Sequence, residues 1–229
     1  MKRDLNMSQI KNKIKELNET LPDNVRLVAV SKFHPQSSVE EAYEAGQRVF
    51  GESKVQELTS KAEAMPKDIE WHFIGHLQTN KVKYIAPFVS LIHSVDSFRL
   101  LQEINKYAEK NNRVIDCLLQ IYIAEEETKF GLDLDECRTI LLDKLFLDMN
   151  NIRIVGVMGM ATFCENETQI RQEFKTLKCV FDTLKNEFFT NKDYFREISM
   201  GMSDDYLIAI EEGSTLVRIG SSIFGVRNY

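Results

Sequence analysis

Residues 27–32 read Leu27-Val28-Ala29-Val30-Ser31-Lys32, an apolar run that ends in a lysine. The four apolar residues do not alternate with polar ones, which is typical of a strand buried on both faces in a parallel sheet covered by helices. Ligands bind where such strands end. We therefore expect the Lys32 amine to lie at the mouth of the sheet, where partial desolvation makes it a nucleophile toward a carbonyl group. The alternative is a surface lysine that ends a strand.

Strand patterns alternate with helical patterns along the rest of the chain. An amphipathic helix precedes the first strand, with its apolar face at Met7, Ile10, Ile14, Leu17 and Leu21. We predict the other seven strands at residues 48–50, 71–75, 90–95, 114–123, 152–157, 196–199 and 215–219. This alternation, in one domain over residues 1–229, predicts an α/β fold: a (β/α)8 TIM-type barrel with an extra N-terminal helix. A doubly wound open sheet is the alternative.

Four helix starts carry local signals. Ser38 and Glu41 have the spacing of a capping box. We expect Gly51-Glu52-Ser53 to open the helix after the second strand, and residues 76–86 to form one helix after the third. Asp96 or Ser97 is the expected cap of the helix after the fourth strand.

Composition and charge exclude several classes of protein. Lys and Arg total 29 against 35 Asp and Glu, for a net charge of −6, so a basic nucleic-acid-binding domain is excluded. No run approaches the roughly 18 apolar residues of a membrane span, and the charged N-terminus lacks a signal core, so we expect a cytoplasmic protein. The cysteines have no metal-ligand spacing, and we expect free core thiols and no metal site at Cys117, Cys137, Cys164 and Cys179.

A second informative region lies at the ends of the seventh and eighth predicted strands. It consists of Ser199-Met200-Gly201-Met202-Ser203-Asp204-Asp205 and Arg218-Ile219-Gly220-Ser221-Ser222. Barrels of this type bind phosphate at these two strand ends, through backbone amides and a helix N-terminus. We expect Ser203 to be the N-cap of its helix, Gly220 to allow close backbone approach and Ser221 to add a hydroxyl. The alternative is a helix cap and a glycine turn. A phosphate anchor opposite a lysine amine is the minimum equipment for holding pyridoxal 5′-phosphate (PLP).

Five motifs in this order resemble the pyridoxal phosphate homeostasis proteins, which are single-domain relatives of the alanine racemase N-terminal barrel. The resemblance covers essentially the whole chain. The motifs are Ala29-Val30-Ser31-Lys32, Phe50-Gly51-Glu52, Trp71-His72-Phe73-Ile74-Gly75 with Leu77-Gln78-x-Asn80-Lys81, Ser199-Met200-Gly201-Met202-Ser203-Asp204, and Val217-Arg218-Ile219-Gly220-x-x-Ile223-Phe224-Gly225.

The resemblance implies specific roles for five residues. It implies that Lys32 forms an internal aldimine with PLP, that Ser203, Gly220 and Ser221 hold the phosphate, and that Arg218 faces the pyridine nitrogen. It also implies a function in intracellular PLP homeostasis, as a store, carrier or regulator without significant amino-acid turnover. The family motif Phe-Gly-Glu usually continues with Asn, whereas Ser53 stands here, so any contact of that amide is lost.

Two other function classes remain open at this point. One is a PLP-dependent amino-acid racemase, and the other is a structural protein with an empty barrel. Racemisation needs bases on both faces of the substrate carbanion. In the racemases a tyrosine from an added β-domain is the second base, and we expect no such domain, since the sequence stops at Tyr229. The expected partners are PLP and, for a carrier, apo forms of PLP enzymes, with the protein a monomer or weak homodimer.

The remaining polar candidates have structural interpretations beside functional ones. His72, His76 and His93 are expected to be hydrogen-bonded residues of the barrel rather than acid-base catalysts. Gln78, Asn80 and Lys81 either cap a helix or face a ligand or partner at the barrel mouth. Glu125-Glu126-Glu127 is expected to be a solvated loop. Lys129 follows in the same loop and is either solvated or a transient acceptor of PLP during its release.

Overall fold

Eight parallel strands close into a barrel in the computed structural model, which describes residues 2–124 and 131–225. Each strand pairs with the next in the chain, and the last pairs with the first through the register Ala29–Ile219, so the sheet has no edge. The predicted barrel is confirmed, and the open sheet is wrong. The strands are β1 (Arg26–Val30), β2 (Val49–Glu52), β3 (Glu70–Phe73), β4 (Leu91–Val95), β5 (Ile115–Gln120), β6 (Ile152–Met158), β7 (Glu197–Ser199) and β8 (Leu216–Ile219).

Helices surround the barrel, and an additional helix precedes β1 as predicted. Among the described residues they are α1 (Lys2–Thr20), α2 (Gln36–Glu44), α3 (Val55–Ala64), α4 (Val82–Ile85), α5 (Phe98–Lys110), α6 (Leu134–Leu142), α7 (Lys144–Leu147), α8 (Glu167–Phe188), α9 (Tyr206–Glu211) and α10 (Ser221–Phe224). A 3₁₀ turn, Thr79–Lys81, precedes α4. In the part of the chain covered by the structure, none of the helices has the length and apolarity that crossing a membrane requires.

The barrel has two apolar layers because side chains alternate along each strand. The larger cluster lies between the strands and the helices and includes Phe50, Phe73 and Phe174, all fully buried. A smaller cluster fills the inside of the barrel, with Val28, Val49, Leu91, Leu118, Val155, Met158 and Leu216 contributed by six strands. Residues 28 and 30 of β1 therefore face inward, and residue 32 is the next position on that face.

Three local predictions about helices are wrong. Pro35 (φ −66°, ψ 159°) is the extended residue before α2, so Ser38 lies inside the first turn and caps nothing, and Glu41 is buried. Gly51 and Glu52 belong to β2, because Gly51 pairs with Val30 on one side and His72 on the other. Residues 76–86 form a 3₁₀ turn and one short helix rather than a single helix.

Two other local predictions can be compared with the structure. Of the two predicted caps, Asp96 or Ser97, the structure has Ser97, whose side chain accepts a hydrogen bond from the Leu100 amide. All four cysteines are free, but only Cys117 and Cys137 lie in the core, whereas Cys179 is exposed.

Candidate functional site

Lys32 follows β1 at the C-terminal mouth of the barrel, on the inward face. The amide of Ser31 still donates to the carbonyl of Gly51 at 3.1 Å, so strand geometry extends one residue beyond Val30. A Cβ atom on Gly51 would lie 3.0 Å from Val28 and 3.5 Å from Val30, which identifies the inward face shared by these residues. The Lys32 side chain is partly buried, as the sequence predicts.

A buried ion cluster fixes the backbone on both sides of Lys32. Nζ of Lys61, on α3, donates to the carbonyl of Ser31 at 2.8 Å, to Oε1 of Glu52 at 2.7 Å and to Oε1 of Glu57 at 2.8 Å. The Ser31 hydroxyl donates to Oε1 of Glu52 at 2.6 Å, and the Phe33 amide donates to Oε1 of Glu57 at 2.7 Å. Both neighbours of Lys32 in the chain are therefore anchored.

The charged and polar groups of this cluster depend on one another. An ammonium group has three N–H donors, and Lys61 uses all three, so its amine is not a nucleophile. Burial raises the pKa of Glu52 above its ordinary value, while Lys61 and Ser31 act in the opposite direction. Oε2 of Glu52 has no hydrogen-bond partner among the described residues, which makes this carboxylate dependent on Lys61. Phe33 has φ 67°, a left-handed conformation that the bond to Glu57 stabilises.

Arg218 lies inside the barrel, buried with 5% of its surface exposed. Its Nη1 donates to the carbonyl and hydroxyl oxygens of Ser199 at 2.8 and 2.6 Å, and its Nη2 donates to the Gly159 carbonyl at 3.0 Å. Burial lowers the pKa of Arg218 to about 10, and Asp205 acts against that lowering. The group stays cationic at neutral pH. Within the described chain these bonds use three of the five guanidinium N–H donors, which leaves two for a ligand.

Ser203, Gly220 and Ser221 come together at the ends of β7 and β8. The Gly220 amide donates to the Ser203 hydroxyl oxygen at 3.3 Å, and Ser221 begins α10. The predicted N-cap role of Ser203 is wrong. Asp205 is the N-cap residue of α9, and its side chain accepts from the Met202 amide at 2.5 Å. The hydroxyl of Ser203 instead links the two strand ends.

Position 220 favours glycine because the backbone there lies close to β1. A Cβ atom on Gly220 would lie 3.0 Å from the Val30 carbonyl oxygen, two residues before Lys32. The structure therefore places the glycine of the predicted phosphate cradle beside the strand that carries the lysine. Hydroxyl groups and backbone amides at this position are the donor set that a phosphate group needs. The residues present fit PLP on these grounds.

The structure tests the predictions for the histidines but not the prediction for the loop lysine, Lys129. His72 and His93 are buried, with a hydrogen bond of 3.0 Å between Nδ1 of His72 and Nε2 of His93, so the prediction of core residues is confirmed for them. His76 is exposed and contacts Asp96 at 3.2 Å, so the prediction of a core residue is wrong for this histidine. Lys129 and Glu125-Glu126-Glu127 lie outside the described residues.

Sequence reasoning missed the residues that support the site. Ser199 and Gly159 accept from Arg218, and Lys61 and Glu52 anchor the turn of Lys32. One signal for Lys61 was present, since Glu57 and Lys61 have the (i, i+4) spacing of a helical ion pair. Nothing in the sequence indicated that this pair faces β2.

The chain is similar to known proteins over most of its length. The family model of the alanine racemase N-terminal domain matches residues 5–228. The pyridoxal phosphate homeostasis protein of Aquifex aeolicus (strain VF5) is 42% identical over 205 residues, which cover 89% of this chain and 88% of that protein. The protein of the same name from Schizosaccharomyces pombe is 40% identical over 207 residues, covering 89% and 85%.

The chain belongs to the pyridoxal phosphate homeostasis protein family. A solved member of similar structure is PipY of Synechococcus elongatus PCC7942 with PLP bound, at a TM-score of 0.85 and 33% identity, covering 95% of this chain and all of that one. The family resemblance predicted from the five motifs is thereby confirmed. In this chain the motif residues Lys32, Arg218 and Gly220 all lie toward the end of the barrel where the strands terminate.

Proposed function

We propose that this protein binds PLP at the C-terminal mouth of the barrel and acts in intracellular PLP homeostasis. The observation that carries the proposal is the arrangement of Lys32 and Gly220. A lysine on the inward face follows β1, and the glycine-serine cradle of β8 packs against that strand two residues earlier. PipY, which has PLP bound in its solved structure, supports the choice of cofactor.

Each site residue has a role that follows from its chemistry. Lys32 holds PLP through an internal aldimine, formed when its amine condenses with the aldehyde and water is released. Ser203 and Ser221 donate hydroxyl hydrogen bonds to the phosphate, and Gly220 admits the phosphate close to the backbone. Arg218 donates to the pyridine nitrogen with one of its two remaining N–H groups.

The same geometry favours a carrier or store over an enzyme. Arginine is a donor only, so a ring nitrogen that meets Arg218 must accept a hydrogen bond and remain unprotonated. An unprotonated ring is a poorer electron sink for a substrate carbanion than a carboxylate-paired pyridinium. We infer that the bound cofactor is held and passed on without significant amino-acid turnover. Apo forms of PLP enzymes are the proposed recipients, with this protein acting in the cytoplasm as a monomer or weak homodimer.

Absorption spectroscopy and peptide mapping test the assignment of Lys32. The purified protein with PLP should show the visible band of an imine, and borohydride should fix a reduced adduct on the peptide that contains Lys32. Lys32→Ala should lose both the band and the adduct. Lys106→Ala is the control, because Lys106 is an exposed lysine of α5 that pairs with Glu103 away from the site. An adduct on Lys54, Lys81 or Lys129 of the unmutated protein would refute the assignment.

A further inference from the structure

A chain of hydrogen bonds leads from Arg218 into the centre of the barrel. Nη1 of Arg218 donates to the Ser199 hydroxyl oxygen at 2.6 Å, and that oxygen lies 2.9 Å from Nδ1 of His93. Nε2 of His93 lies 3.0 Å from Nδ1 of His72. Ser199 and His93 are fully buried, and His72 is 2% exposed. The role assigned above to Arg218 makes no use of these three residues.

The direction of each hydrogen bond in this chain can be deduced from Arg218. Arginine has no acceptor, so the Ser199 oxygen accepts from it. Arg218 and His93 are the partners of this hydroxyl within the described chain, and an unused buried O–H would be costly. Ser199 therefore donates its proton to Nδ1 of His93.

The tautomers of both histidines follow. Nδ1 of His93 accepts, so the neutral ring carries its proton on Nε2 and donates it to Nδ1 of His72. His72 in turn carries its proton on Nε2. Burial lowers the pKa of His72 to about 3, and burial together with His72, Arg218 and Arg26 lowers the pKa of His93 well below its ordinary value, so both rings are neutral at neutral pH.

Every hydrogen bond in this series is thus donated in the same direction. Arg218 donates to Ser199, Ser199 donates to His93, and His93 donates to His72. We propose that Ser199, His93 and His72 form a hydrogen-bond relay that positions Arg218 for the ring nitrogen of the bound cofactor. In this relay a lone pair of the Ser199 hydroxyl oxygen faces the guanidinium group, and this fixes the orientation of the Arg218 side chain. It ends at His72, which lines a cavity of about 370 Å³ at the N-terminal end of the barrel, beside Arg26 and Glu70. The inference rests on the proposed function for its cofactor contact, but not for the direction of the relay.

Nuclear magnetic resonance of the histidine rings tests the direction without any cofactor. The chain has four histidines, so His34→Gln with His76→Gln leaves only the signals of His72 and His93. Long-range nitrogen–proton correlations of the cofactor-free, ¹⁵N-histidine-labelled protein near neutral pH should show both rings as neutral Nε2–H tautomers. An Nδ1–H tautomer at either ring, or a doubly protonated ring, would overturn the relay.

A binding comparison tests the positioning role. Ser199→Ala removes the hydroxyl acceptor of Arg218 but leaves the Ser199 carbonyl. We expect PLP to bind about tenfold more weakly to this variant. An analogue in which carbon replaces the ring nitrogen should change by less than about twofold, because Arg218 makes no hydrogen bond to it. Equal losses for the two ligands, or no loss, would overturn the positioning role. If the unmutated protein binds no PLP at all, the proposed function fails while the tautomer result stands by itself.

Discussion

Nζ of Lys61 donates a hydrogen bond at 2.8 Å to the carbonyl oxygen of Ser31, the residue before the site lysine Lys32. The same ammonium neutralises the buried carboxylate of Glu52, whose side chain is fully buried. This contact joins α3 to the end of β1. The position of the site lysine therefore depends on a second, chemically inert lysine.

Removal of Lys61 should be strongly destabilising. Lys61→Met leaves Glu52 buried without its cation, and breaking a buried pair in this way costs about 3–5 kcal/mol of the free energy of unfolding. Urea unfolding measures the loss. Lys15→Met is the matched control, since Lys15 pairs with Glu19 on the surface and such pairs contribute at most about 1 kcal/mol. If the two variants lost similar amounts of the free energy of unfolding, the buried ion cluster of Lys61 would not be important for stability.

Loss of either cradle hydroxyl should weaken the binding of the phosphate group specifically. Ser203→Ala and Ser221→Ala each remove a charge-assisted hydrogen bond of about 1.5–3 kcal/mol, which corresponds to roughly ten- to a hundredfold weaker PLP binding. Pyridoxal, which has no phosphate, should bind the variants and the unmutated protein alike in equilibrium titrations. Ser60→Ala, on the exposed side of α3, is the control. Equal losses for PLP and pyridoxal would indicate damage to the barrel instead.

Stability should fall as the pH is lowered through the range of free histidine. The pKa of His72 is about 3 in the folded state against about 6.5 in the unfolded chain, and that of His93 is also lowered. The unfolded state therefore binds more protons between these values. Stability is fully present above about pH 6.5 and is lost below it at about 1.4 kcal/mol per pH unit for each histidine.

Denaturant unfolding at about pH 7.5 and pH 5.5 should show a decrease of about 2–3 kcal/mol from the two rings. His72→Gln should reduce that decrease by about half. Ser60→Ala, on the exposed side of α3, is the control and should leave it unchanged. Burial also raises the pKa of Glu52, which acts with the opposite sign, so His72→Gln is needed to isolate the contribution of the imidazole. A decrease that is identical in all three proteins would contradict the assignment to buried imidazoles.

A substitution in β6 should show how tightly the barrel is closed. A Cβ atom on Gly156 would collide with the backbone carbonyl of Glu197 on β7, so Gly156→Ala should cost on the order of 4 kcal/mol or more. Gly46→Ala is the control, because Gly46 has φ 98° but open space around it, and its cost should be about 1–2 kcal/mol. Thermal unfolding distinguishes the two. Equal costs would show that β6 and β7 move apart easily.

Amino acids should not react at an enzyme-like rate. The protein with PLP, incubated with L-alanine in deuterated water, should show no rapid exchange at Cα and no accumulation of the D-isomer, because the proposed hydrogen bond from Arg218 to the ring nitrogen would weaken the electron sink. Mass spectrometry and chiral chromatography measure the two products. Rapid exchange that is abolished by Lys32→Ala would identify a racemase-like enzyme.

Much of the barrel was predictable because its signals are local. The apolar run of β1 and the lysine after it can be recognised within six consecutive residues. The alternation of strand and helix patterns can be recognised without knowing which residues contact each other. The Ser97 cap depends on residues three apart in the chain, and it was predicted correctly. The site residues at the ends of β1, β7 and β8 follow from the same alternation.

Several of the failures involve contacts between distant parts of the chain. Gly51 and Glu52 have the composition of a helix start, but pairing with β1 and β3 makes them a strand. Ser203 is a good N-cap by type, yet α9 begins only after Asp205, whose side chain accepts from the Met202 amide and does not cap the helix. The Lys61 cluster and the His72–His93 contact depend on distances between elements, which no sequence pattern specifies.

The pairing of the first strand with the last has a consequence for synthesis on the ribosome. Lys32 follows the first strand, whereas Gly220 is made only after all eight strands. A nascent chain therefore carries the amine for most of its synthesis without the cradle that lies against Val30. Under the proposed function, an aldehyde bound to Lys32 at that stage would have no phosphate contacts and would be released by hydrolysis. Under the proposed function, only a chain in which β8 has paired with β1 would retain the cofactor.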